Sequence, residues 1–275
     1  RYGRRQRQMC IRDSINAAAA PSDALKVGSW NVKFAGGRID FFFDCYGDRS
    51  LMEATEVETH LAGLASKIRQ MDLDVLFLQE LDIDAKRSAY IDQLQYLLDN
   101  SDFNYAVYAS QWKADYVPSD GVGRINSGNA ILSRYPLEQT ERITLPLVAE
   151  QSGLVQYFYL RRNILKAEIT DVQGKVITLL NTHTSAFAKD GTKDRQLEQI
   201  KAVVDDLAAS SKPFVLGGDF NSLPPFSEQY NNFPDDACPK DSEFSANDFS
   251  AETDIMLPFY DYQALIPLEE YATNN

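Results

Sequence analysis

The segment FVLGGDFNSLPP (residues 214–225) ends an apolar run on two glycines and then sets Asp219 and Asn221 two positions apart. On an extended chain that spacing turns both side chains to one side, and the glycines let the backbone turn tightly beside a ligand. Three more apolar runs finish on residues able to bind a metal ion or a phosphate: Asn31 follows VGSW, Glu80 follows DVLFLQ, and His183 follows ITLLNT. Each has an ordinary structural explanation. Asn31 would cap a turn, His183 would bond backbone within a core, and a G-D-x-N turn occurs in unrelated loops. Glu80 is harder to dismiss, because a carboxylate at the end of a buried strand needs a cation or several donors. If these strands run alike, their carboxyl ends meet at one edge, where open α/β sheets bind ligands.

The elements that must hold this edge alternate along the chain. LKVGSW reads as a strand, and Thr55 then opens a helix with Glu58 completing a capping box. Val57, Leu61, Leu64, Ala65 and Ile68 form its apolar face at helical spacing. His60 falls beside that face and reads as a surface or satisfied histidine rather than a ligand. DVLFLQE is a strand without alternation, as where both sheet faces are covered, and Ile91, Leu94, Leu97 and Leu98 mark a second helix. The middle is strand after strand: YAVYAS, NAILS, YFYLRRNILKAEI and KVITLLNTH, divided by Gly, Pro and Asn turns. A third helix over about 192–207 places Leu197, Ile200, Val204 and Leu207 on one stripe and leads into FVLGG. RIDFFFD is expected to pack as a strand or loop rather than touch a membrane. Helices flanking strand-rich blocks in both halves predict an α/β layered sandwich, two sheets face to face with helices outside. After Asn221 the periodicity fades, and an acidic, turn-rich stretch is expected to run over the surface.

With 275 residues, 44% of them hydrophobic, the chain can bury one large core or two small ones, and it has no apolar run long enough to cross a bilayer. A net charge of −13 repels phosphodiester backbones unless a basic patch or a bound cation intervenes, which disfavours a processive nucleic-acid binder. There is no Walker-type glycine loop, clustered Cys/His zinc spacing or serine-nucleophile elbow. Residues 1–23 are set aside from a single domain at 24–275. RYGRRQRQMCIRDS is Arg-rich and aperiodic and is similar to translated adapter sequence, a scar expected to be disordered. INAAAAPSDA reads as a linker or, through Ala17–Ala19, as the remnant of an export cleavage site. Export to the periplasm or beyond the cell of a bacterium is therefore favoured over a cytoplasmic location. Cys45 and Cys238 sit among turn-forming residues and are expected as free thiols rather than a disulfide.

In order along 26–225, SWNVKF, DVLFLQELD, SGNAILSRYPL, RRNILKAEI, LLNTHT and GGDFNSLPP resemble the motifs of the endonuclease/exonuclease/phosphatase superfamily, the DNase I-like fold. The resemblance implies a four-layer αββα sandwich of two mixed sheets and Mg²⁺-dependent cleavage of a phosphoester, with Mn²⁺ as a substitute ion. It implies Glu80 as principal metal ligand with Asn31 beside it, Asp219 positioning the attacking water, and Asn221 and His183 holding phosphoryl oxygens. Asn126 and Arg162 are further candidates for the substrate phosphate. In-line displacement at phosphorus suits these roles: a hard cation and a donor neutralise oxygen charge, and a carboxylate stands within reach of water. Two departures matter. Asn126 stands where DNA-repair members carry a tyrosine, and the family's late Asp-His pair has no counterpart, since the histidines are His60 and His183. The chain is therefore expected to lack the last strands at its C-terminus and, as it stands, to turn over little or nothing. The preferred function is a Mg²⁺-dependent hydrolase of a small or lipid-derived phosphoester. The alternatives are an endonuclease or exonuclease on DNA or RNA, and a non-catalytic binding module that keeps the fold.

Overall fold

The computed structural model describes residues 9–13, 24–44, 47–171, 173–186, 190–222, 224–225, 254–265 and 267. Among them β1 (Met9–Asp13), β4 (Tyr105–Val117), β5 (Gly123–Ser133), β3 (Val75–Asp82) and β2 (Val27–Asn31) lie side by side in that order as a five-stranded sheet. A four-stranded sheet runs β6 (Glu138–Thr144), β7 (Asn163–Thr170), β8 (Val176–His183), β9 (Phe214–Asp219). Both are mixed, with β2 parallel to β3, β8 parallel to β9, and the other pairs antiparallel. Parallel neighbours need a crossover. The crossovers here are the helices α1 (Ala54–Met71), between β2 and β3, and α4 (Thr192–Ala209), between β8 and β9; α2 (Gln93–Asp99) and α3 (Gly153–Phe158) are shorter.

Three apolar layers hold the stack. Val57, Leu61, Ala65 and Ile68 of α1, with Leu94 and Leu97 of α2, cluster with Leu76, Leu78 and Leu132 on the outer face of the first sheet. Leu197, Ile200 and Val204 of α4 cluster with Ile164 and Leu180 outside the second. Between the sheets, Phe77, Val107, Ile131, Leu165 and Leu179 make the middle layer. The order helix, sheet, sheet, helix is the αββα sandwich the sequence predicts. β3 lacks alternation because Leu76 and Leu78 face the helices while Val75 and Phe77 face the other sheet.

Several local expectations need correction. The first helix starts at Ala54, and it is Glu56 Oε2 that accepts from Glu53 N at 2.8 Å; the Thr55–Glu58 box is not what opens it. YFYLRRNILKAEI is not one strand: Tyr157 and Phe158 end α3, whose Ser152 accepts from Val155 N, and β7 begins only at Asn163. Within 1–23, expected to stay outside the fold, Met9–Asp13 pairs antiparallel with the edge of β4, where Arg12 forms an ion pair with Asp92 at 2.7 Å. The expectation for His60 holds: its Nδ1 donates to Ala35 O at 2.7 Å, which satisfies the ring. In RIDFFFD, Phe41 is buried edge-on to Phe34. Cys45 and Cys238 lie outside the described residues, as do 226–253; a 3-10 segment at Asp254–Asp261 packs Met256 against the α4 layer. No helix among the described residues is long and apolar enough to cross a membrane.

Candidate active site

Asn31, His183 and Asp219 are the last residues of β2, β8 and β9, and Glu80 lies near the end of β3. Sheet packing brings all four together. Asn31 Nδ2 donates to Glu80 Oε1 at 3.1 Å and to Asp219 Oδ2 at 2.8 Å. His183 Nε2 stands 3.9 Å from Glu80 Oε1 and 3.6 Å from Asp219 Oδ2, too far for direct hydrogen bonds and close enough to share one ligand oxygen. Glu80 reaches this point through strain. The β3–β5 register shifts between Leu78 and Leu81, and Glu80 takes a left-handed φ of 57°. For a residue with a Cβ that costs roughly 1–2 kcal/mol. Gly218 is required beside Asp219: its φ is 142°, and a Cβ there would lie 2.1 Å from Thr182 O. Asn221 N donates to Asp219 Oδ1 at 2.8 Å, which leaves Oδ2 to face Asn31 and His183.

The electrostatics are lopsided. His183 is 2% exposed, and burial, with help from Arg162, pushes its pKa well below the usual histidine value, so the ring is neutral. Glu80 and Asp219 keep 31% and 27% of their side-chain surface. Arg162 is buried; that lowers its pKa, while attraction to Glu80 and then Asp219 raises it. Its Nη1 donates to Gln111 Oε1 at 2.8 Å and its buried Nε has no partner. Asn221 joins the rim with Nδ2 already donated to Thr184 O at 3.0 Å. Asn126 Oδ1 accepts from Ser110 Oγ at 2.6 Å, which orients its amide.

Asn31 also differs from a simple oxygen ligand. Its Oδ1 accepts from Lys33 N at 3.0 Å, so it presents N–H to both carboxylates and acts as a clamp on them. Lys33, Phe34 and Ala35, all with positive φ, shape the turn that sets this orientation. The donor set nevertheless fits a hard divalent cation: two partly exposed carboxylates converge on one amide and a neutral imidazole. No group of three or more His, Cys, Asp or Glu that could hold a metal occurs among the described residues. Any cation would thus rely on few protein ligands, as Mg²⁺ commonly does.

One level below the cluster is a layer the sequence reading missed. Gln79 Nε2 donates to Asn181 Oδ1 at 2.8 Å and to Ser29 Oγ at 3.2 Å, joining the sheets, and Asn181 Nδ2 donates back to Leu78 O and Ala130 O. Ser29, Asn181 and Gly217 each precede a site residue by two, so stepping back by the strand period from Asn31, His183 and Asp219 would have found them. Gly217 is small because a Cβ would come within 2.7 Å of the Phe77 ring. Beside the cluster opens a cleft of about 590 Å³ that reaches Glu80 and Arg162 and is walled by Phe42, Phe43, Trp112 and Tyr159.

A sequence profile of the endonuclease/exonuclease/phosphatase family matches residues 28–239. Among solved structures, an endonuclease/exonuclease/phosphatase from Beutenbergia cavernae is similar at 20% identity and a TM-score of 0.52, over 72% of this chain and 47% of that one. The human Nocturnin catalytic domain, with a bound sulfate anion, is similar at 18% identity and 0.50, over 80% and 69%. A D. rerio TDP2 complexed with a single-strand DNA product gives 21% and 0.46, over 74% and 62%. The chain thus spans about half the length of the Beutenbergia structure. No curated protein matches the sequence.

Proposed function

Because the chain belongs to the endonuclease/exonuclease/phosphatase family, whose members are typically hydrolases of phosphoesters, we propose that it supplies the core of a divalent-metal-dependent hydrolase acting on a small or lipid-derived phosphoester. The observation that carries this reading is the meeting of Glu80 and Asp219 under one Asn31 amide and a neutral His183. Glu80 would hold Mg²⁺, joined by Asn31 if its amide turned Oδ1 inward and gave up the Lys33 N–H. The bound ion would neutralise charge on the phosphoryl and leaving oxygens.

The chain's own residues account for the rest. Asp219, its Oδ1 fixed by Asn221 N, has Oδ2 directed into the site, where it accepts a proton from an attacking water. Neutral His183 offers an N–H to a phosphoryl oxygen without adding a charge that would have to be desolvated. Arg162 stands behind as the nearby fixed cation for the anionic substrate. The preference for a small or lipid-derived ester rests on the acidic balance of −13 and on the apolar cleft. Incubation with sphingomyelin, inositol phosphates, plasmid and RNA in Mg²⁺ tests it: hydrolysis of one of the first two is expected, and rapid cleavage of plasmid or RNA alone would replace the reading with a nuclease. Hydrolysis of none, with the protein extended to the full length of its relatives, would favour a binding module.

A further inference from the structure

The cleft beside the acidic cluster combines aromatic walls with little capacity for anions, and we propose that its phosphoester carries one phosphate and one compact aryl group, with Trp112 and Tyr159 setting that preference. The inference rests on the phosphoester reading above. A cleft of about 590 Å³ is far larger than a phosphate requires and falls in the range of small-ligand pockets. Phe42 and Phe43 come from the segment after β2, Trp112 from β4, and Tyr159 from the end of α3. Trp112 is set in place before any ligand arrives: its Nε1 donates to Phe158 O at 2.7 Å. Ring faces on separate elements, that of Trp112 fixed by its bond, suit a planar ring, through stacking or edge contacts.

The anion capacity is small. Among the described residues two guanidinium groups border the cleft. Arg87 is committed, with Nε and Nη2 on Asp82 at 2.9 Å each, a further bond to Ser127 Oγ, and its Cζ 3.6 Å from the Phe34 ring centre. Arg162 uses Nη1 on Gln111 and has an Nε without a partner. One guanidinium with spare donors serves one phosphate. Glu150 in the wall and the net charge of −13 oppose a second. The aryl group lies against Trp112 and Tyr159, away from the reacting atoms, so both are specificity residues.

Calorimetric titration of the chain in Mg²⁺ with phenylphosphonate and methylphosphonate, neither hydrolysable, tests this without turnover. Phenylphosphonate is expected to bind at least about tenfold more tightly. Trp112→Ala and Tyr159→Ala should each remove most of that preference with methylphosphonate affinity unchanged. Tyr159 is 40% exposed, so its variant keeps the test open if Trp112→Ala fails to fold. Equal affinities, no binding of phenylphosphonate, a preference that survives both substitutions, or tighter binding of pyrophosphate would each overturn the proposal. Selective phenylphosphonate binding without hydrolysis of any phosphoester would remove the hydrolase reading and support this one.

Discussion

The two sheets meet twice along the same strands, and the two meetings are chemically opposite. At the lower level Phe77, Ile131, Leu165 and Leu179 fill the interface. Two to four residues farther along the inward faces of those same strands come Gln79, Asn129, Asn163 and His183. There the hydrogen bonding is incomplete: both amide atoms of Asn129, Asn163 Oδ1, Arg162 Nε and His183 Nδ1 are buried without partners. Buried polar groups are normally paired. Their concentration at one end separates a level that supplies packing from a level that leaves polar groups unsatisfied, at some cost in stability.

Substitutions should therefore separate stability from activity according to level. The largest effect is expected from Phe77→Ala, which empties a fully buried site between the sheets and should cost about 3–5 kcal/mol in urea unfolding. Next, Asp219→Ala should lower turnover about a hundredfold or more while leaving the unfolding midpoint nearly unmoved. A loss of stability as large as that of Phe77→Ala would erase the contrast. Smaller again, Gln79→Leu should cost about 1–3 kcal/mol by leaving Asn181 Oδ1 unpaired, and adding Asn181→Leu should cost less than the sum of the two single changes. Strict additivity in that cycle would show that the amide bridge does not act as a unit. His60→Ala, with one bond to Ala35 O, should cost only about 1 kcal/mol.

The candidate cluster was legible in the sequence because each of its members, Asn31, Glu80, His183 and Asp219, closes an apolar run, and the structure brings the four together. The helix faces were legible too, since Leu61 and Ile68 or Ile200 and Val204 repeat at the helical period. What escaped has physical reasons. Glu80 adopts a left-handed backbone with no glycine to signal it. The clamp role of Asn31 depends on Lys33 N, a backbone group with no sequence signature. Gln79 and Asn181 are amides inside apolar strands, and their meaning appears only once the two sheets are stacked. β6 was passed over because EQTERIT is charged; it is a largely solvated edge strand. Aromatic alternation in YFYLRR imitated a strand, while Ser152 capped a helix there.

If the upper level is the cation-assisted phosphoester site proposed above, Glu80 anchors its ion. The most direct test is titration of Mn²⁺ into wild type, Glu80→Gln and Asn31→Ala, with bound ion followed by electron paramagnetic resonance. Glu80→Gln removes a formal negative charge and Asn31→Ala does not. One Mn²⁺ site is expected in the wild type, weakened at least about tenfold by Glu80→Gln and far less by Asn31→Ala. Superimposable titration curves for wild type and Glu80→Gln would contradict it.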